Sequence, residues 1–166
     1  MLVTKRTISY PRGTIENLLV AAYQALHQQY PECEKENRES FHYADNLFYD
    51  NPKIGDKYAF ITEYEGKTCG MCGWNPLGFP TAIIGHNCIL PEFRGKGLGK
   101  EQLRVALRQI KENNFARAEV STGLIDFFMP ARKMYEAIGF KEVKCDDLET
   151  AKNKILAKIY YVLYLK

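Results

Sequence analysis

The chain carries little excess charge of either sign: 23 Lys and Arg against 20 Asp and Glu leave a formal net charge of +3 over 166 residues. So weak an overall field argues against a polyanionic partner, and no nucleic-acid partner is expected. Long apolar runs are also missing. No stretch approaches the roughly 20 residues needed to cross a bilayer, and Met1-Leu2-Val3-Thr4-Lys5-Arg6 does not resemble a secretory leader, so a cytoplasmic protein without a membrane partner is expected. The five cysteines, Cys33, Cys69, Cys72, Cys88 and Cys145, are odd in number and scattered, which fits reduced thiols better than a disulfide framework. Cys69-Gly70-Met71-Cys72 has Cys-x-x-Cys spacing, but no second pair accompanies it and no Cys/His pair stands at ligand spacing. It lies in a strand-like run, where positions three apart face opposite sides, so no metal site is expected. Linkers, repeats and low-complexity segments are absent too. With 46% hydrophobic residues the chain can bury a sizeable core, and one domain over residues 1–166 is expected.

What the chain does have is a glycine-rich loop, Leu90-Pro91-Glu92-Phe93-Arg94-Gly95-Lys96-Gly97-Leu98-Gly99-Lys100. It joins a strand-like run to an amphipathic helical pattern. Gly95, Gly97 and Gly99 allow backbone N–H groups to converge, and the helix that follows adds the positive end of its dipole, so a phosphate or pyrophosphate is the natural guest. Arg94, Lys96 and Lys100 make the loop locally basic; taken alone, such a cluster also fits a solvated surface. The spacing excludes a P-loop, since Arg94 stands five residues before Gly99 and Glu101 follows Lys100. A dinucleotide fingerprint fails as well, because Lys100 and Gln102 occupy the positions where its last small residue belongs.

Hydrophobic periodicity predicts a strand over Val3 to Tyr10 and a helix from Thr14, as N-cap, to about Tyr30. A second helix is expected over Glu36 to Asp50, with Phe41, Ala44, Leu47 and Phe48 on one side. Strands are expected over Lys57 to Tyr64 and Thr68 to Trp74, paired through Glu65-Gly66-Lys67. After turn residues Asn75 to Pro80, a strand over Thr81 to Leu90 leads into the glycine loop. A helix from about Gly97 to Asn113 buries Leu103, Ala106, Leu107 and Ile110. Then come a strand over Phe115 to Thr122, a short helix carrying Ala131, Met134, Tyr135 and Ile138 and capped by Gly139, and strands over Lys141 to Cys145 and Ile155 to Leu165. The expected class is one mixed α/β (α+β) domain.

Arg-x-x-Gly-x-Gly, read from Arg94 to Gly99, resembles the acetyl-CoA pyrophosphate loop of the GNAT superfamily of N-acetyltransferases. Ala131-Arg132-Lys133-Met134-Tyr135-Glu136-Ala137-Ile138-Gly139-Phe140 is similar to the segment that ends the GNAT core. The resemblance covers nearly the whole order of elements and implies the GNAT fold, a mixed and mostly antiparallel sheet flanked by helices. It also implies acetyl-CoA as co-substrate and an amine of a small molecule or peptide as acceptor, attacked directly in a ternary complex. By this resemblance Ile89 and Leu90 end the strand that borders pantetheine. Arg94, Gly95, Lys96, Gly97, Leu98, Gly99 and Lys100 hold the pyrophosphate.

The resemblance makes Tyr135 the general acid toward the departing sulfur, a role that a phenol of pKa about 10 can fill for a thiolate of about 8.5. From periodicity alone, Tyr135 reads as a packed core tyrosine. Relatives often use a glutamate as base on the strand before the loop, but Thr81 to Leu90 contains none, and His86 is the titratable imidazole there. Glu92, His27 and His42 are weaker candidates. Phe128 stands where many relatives carry asparagine. Two further readings stay open: a sensor that binds acyl-CoA without turnover, and a homodimer formed through strand edges near the C-terminus.

Overall fold

The computed structural model describes residues 1–150 and 153–166. In chain order the elements are β1 (Leu2–Lys5), α1 (Thr14–Ala22), α2 (Gln24–Gln29), α3 (Glu34–Asp50), α4 (Pro52–Tyr58), β2 (Ala59–Tyr64), β3 (Lys67–Gly78), β4 (Thr81–Ile89), α5 (Leu98–Glu112), β5 (Arg117–Gly123), α6 (Met129–Ile138), β6 (Lys141–Cys145) and β7 (Lys158–Tyr164). The strands form a seven-stranded sheet, hydrogen-bonded in the order β1-β2-β3-β4-β5-β7-β6. It is mixed and mostly antiparallel, with β4 and β5 parallel, and helices flank it. The chain forms two compact units that divide β3, β4 and α5: Met1–Trp74 with His86–Leu103, and Asn75–Gly85 with Arg104–Lys166.

In the first unit, Ile15, Leu18, Leu19 and Ala22 of α1 and Phe41, Ala44 and Phe48 of α3 share a core with Ala59, Ile61, Met71 and Cys88. The periodicity anticipates these helical faces, because residues three and four apart lie on one side. Their ends differ from expectation. Gly13, in the left-handed region at φ 96°, precedes α1, and Thr14 is its first residue. The cap comes from elsewhere in the chain: buried Asp45 accepts the N–H groups of Gly13 at 2.9 Å and Glu16 at 3.2 Å. A single helix to Tyr30 is replaced by two, broken at Tyr23. The first strand ends at Lys5, followed by a 3-10 turn at Thr7–Ser9. Residues 52 to 58 form α4, with Pro52 in its first turn where its missing N–H costs nothing, so β2 starts at Ala59 rather than Lys57.

Gln102 ties this unit together. Fully buried in α5, it donates from Nε2 to the carbonyls of Met71 (2.9 Å) and Cys88 (3.2 Å) and to Asn87 Oδ1 (2.6 Å). Its Oε1 accepts the Thr62 hydroxyl at 2.7 Å. One side chain thereby satisfies polar groups on β2, β3 and β4 that would otherwise be buried unpaired.

In the second unit, β4 pairs with β5 from Thr81↔Arg117 to Ile84↔Val120, and β5 pairs along its length with β7. β3 runs on through Asn75 to Gly78, residues expected in a turn; the reversal falls at Phe79-Pro80, where the Phe79 ring meets Phe115 at 5.2 Å. Helix α6 ends at Gly139, φ 114°, whose N–H bonds back to the Tyr135 and Glu136 carbonyls, the left-handed cap expected from sequence. β7 covers Lys158–Tyr164, shorter than the apolar run that suggested it.

Candidate active site

Gly95 and Gly97 have φ of 78° and 77°, a region other residues enter at a cost. Nothing lies within 4 Å of a Cβ built on either one, so the cradle above them is open. Glu101 makes the first helical bond of α5, back to the Gly97 carbonyl at 3.2 Å. Among the described residues, no acceptor takes the N–H groups of Gly95, Lys96, Gly97, Leu98, Gly99 or Lys100. Six consecutive donors at the N-terminus of a 15-residue helix, with the positive end of its dipole, are the arrangement that favours an anion. Leu98 contributes backbone only, for its side chain is buried against Leu2 and Cys69. Lys96 and Lys100 are exposed, the Lys96 ammonium lying 5.3 Å from the centre of the Tyr64 ring.

Ahead of the loop, the ladder between β4 and β5 stops at Ile84, and Gly85 to Ile89 have no partner strand in that ladder. Leu90 N–H bonds to the Cys69 carbonyl at 2.8 Å and its side chain packs against the helix core; Ile89 packs near Leu98. Arg94 is exposed, yet its guanidinium donates to two backbone carbonyls, Nε to Ile89 at 3.0 Å and Nη2 to Ala22 at 2.9 Å. The second of these spans 72 positions, and no pattern in the sequence signals it.

In the second unit Tyr135 is 5% exposed, with its ring 5.7 Å from that of Phe140 and 6.0 Å from that of Tyr161. Tyr161 donates to Glu136 at 2.9 Å, and burial with that carboxylate pushes its pKa up to about 12. Arg132 donates to the carbonyls of Gly123 (2.7 Å) and Ile125 (3.2 Å), securing the entry to α6. The Phe128 ring sits where a Cβ on residue 123 would stand. An apolar contact between Phe128 and the Gly123 backbone therefore fills this position.

His86 lies half-buried on β4 in the first unit, its ring 6.1 Å edge-on from that of Phe41, and desolvation lowers its pKa from the ordinary imidazole value. The alternatives are engaged or remote. His27 is buried and pairs through Nε2 with the Asn37 amide at 3.0 Å; exposed His42 pairs with Glu16 at 2.8 Å; Glu92 is exposed in the 3-10 turn Pro91–Phe93. Cys69 and Cys72 are both fully buried, and burial raises both thiols above their ordinary range. No group of three or more His, Cys, Asp or Glu among the described residues is arranged to hold a metal ion. No helix among them is long and apolar enough to cross a membrane.

A family model described as the acetyltransferase (GNAT) family matches residues 17–140, a stretch that contains the glycine loop and Tyr135. The chain belongs to that family, a class of acyltransferase enzymes. It is 33% identical over 102 residues to the N-acetyltransferase YjgM of Escherichia coli K12, itself uncharacterized; the match takes in 60% of this chain and 59% of that protein. The fold is shared with solved structures at lower identity. An acetyltransferase of the GNAT family from Staphylococcus aureus Mu50 is 17% identical with a TM-score of 0.68, covering 100% of both chains. A GNAT acetyltransferase from Elizabethkingia anophelis with acetyl-CoA bound is 16% identical with a TM-score of 0.68, covering 99% of this chain and 98% of that one.

Proposed function

We infer that the chain is an acetyl-CoA-dependent N-acetyltransferase acting on a primary amine of a small molecule or peptide, by direct attack in a ternary complex. The observation that carries this reading is the row of unpaired N–H groups from Gly95 to Lys100 beneath an open cradle. A pyrophosphate offers acceptors and negative charge. The loop offers donors, with Lys96 and Lys100 exposed beside them and no acidic residue between Arg94 and Lys100, so the two are complementary. The edge of β4 from Gly85 to Ile89 has the backbone groups to pair with pantetheine amides. The acetyl-CoA held in the Elizabethkingia relative supports the same ligand.

When bound, acetyl-CoA supplies an acyl group activated as a thioester. His86 would accept the proton of the attacking amine. Its lowered pKa keeps the imidazole neutral near pH 7, as a base must be. Tyr135 would supply a phenolic proton to the departing thiol, so that the proton lost by the amine is balanced by one gained at sulfur.

The direct test is thermal unfolding with and without acetyl-CoA, with CoA, ATP and NADH alongside. A saturable rise in midpoint with acetyl-CoA and CoA, absent with NADH, is expected. No shift at millimolar acetyl-CoA would withdraw the enzyme reading.

A further inference from the structure

Ala22 is the last residue of α1, and in an unbroken helix its carbonyl would take the N–H of Leu26, four residues on. The helix instead breaks at Tyr23, and Arg94 Nη2 donates to that carbonyl at 2.9 Å. Ala22 is 1% exposed, so this carbonyl would otherwise lose a bond in a dry environment. The C-terminal end of a helix also favours a cation. The same guanidinium holds the carbonyl of Ile89, the last residue of β4, through Nε at 3.0 Å. Next to the break, the Tyr23 ring packs on Phe41 at 5.1 Å, and Phe41 packs edge-on against His86.

We propose that Arg94 is a positioning residue whose planar fork fastens the anion loop to the end of β4 and to the end of α1 at once. The loop N–H groups are then arrayed before any ligand arrives, and the phosphate charge is met by Lys96 and Lys100. The identity of the ligand rests on the function inferred above; the fastening does not.

Three substitutions separate fastening from charge. Glutamine places its amide nitrogen the same number of bonds from the backbone as Arg Nε, so Arg94→Gln keeps a donor for Ile89 without charge. Arg94→Lys keeps the charge but loses the fork. Arg94→Met keeps length alone. Titration of each with CoA is expected to show affinity reduced about tenfold for Met and Lys alike and less for Gln. Lys equal to the unmodified protein, with Gln equal to Met, would make charge the function of Arg94 and overturn the proposal.

Amide hydrogen exchange without ligand gives a second readout. Exchange over residues 23 to 29 is expected to speed up in Arg94→Met and to stay unchanged in Lys96→Gln; unchanged exchange in Arg94→Met overturns the proposal. If the unmodified protein fails to bind CoA, the cofactor reading falls alone, and the exchange result still decides the role of Arg94.

Discussion

The backbone N–H of Gly13 is held at 2.9 Å by the buried carboxylate of Asp45, 32 positions further along the chain. With its second bond to Glu16, at 3.2 Å, this carboxylate does for α1 what a local cap residue does for most helices. Asp45→Ala is expected to cost about 2 kcal/mol in urea unfolding, because two donors lose a charged acceptor. Asp45→Asn should cost less, since one amide oxygen remains. Equal stability of Asp45→Ala and the unmodified protein would show that α1 holds by packing alone.

Gln102→Leu should destabilise by about 3 kcal/mol, because near-equal volume is kept while the Thr62 hydroxyl and the carbonyls of Met71 and Cys88 lose their partner. Chemical denaturation measures it. A loss well under 1 kcal/mol would mean that these groups re-pair among themselves.

Gly123→Ala would place a methyl group into the Phe128 ring, and about 2 kcal/mol of overpacking is expected. Adding Phe128→Leu should recover most of that loss. Additive costs in the double variant would show that Phe128 and Gly123 are not packed against each other.

Tyr135→Phe keeps the ring against Phe140 and Tyr161 and removes the hydroxyl. Turnover with an accepted amine should fall by more than about tenfold while acetyl-CoA affinity stays unchanged. Undiminished turnover removes the acid role and leaves a packing tyrosine.

The pH dependence follows from His86. Burial lowers its folded pKa below the unfolded value of about 6.5, so on acidification the unfolded chain takes the proton first. Its contribution to stability is complete above about pH 6.5 and is lost as pH falls from there through the folded pKa. Buried His27, also lowered by desolvation, acts in the same direction. With His86 as the proposed base, the acid limb of turnover should lie below about pH 6.5, and His86→Gln should abolish that limb. A limb that persists in His86→Gln assigns the base elsewhere.

The helical faces of α1, α3 and α5, the hairpin at Gly66, the Gly139 cap and the glycine loop could all be read from residue order. Each depends on neighbours within a few positions: a 3.6-residue period, a left-handed glycine, a row of N–H groups at a helix start. The structure departs from local pattern where distant groups decide. Helix α1 stops at Ala22 although no glycine or proline marks the place, and the Ala22 carbonyl is taken by Arg94 from 72 positions away. The strand expected through Tyr10 gives way after Lys5, where the Tyr49 hydroxyl donates to the Thr7 carbonyl at 3.2 Å and Thr7 is buried. β3 continues past Trp74 through residues that read locally as a turn.

Residue order alone dictates a glycine loop with free N–H groups between a strand and a helix, because left-handed glycines and a helix start need only the local chain. Tertiary structure alone decided that Arg94 spans two carbonyls, that Asp45 caps a distant helix, that Gln102 joins three strands and that His86 is desolvated against Phe41. Burial and hydrogen-bond partners of this kind arise only when segments far apart in the chain are brought together.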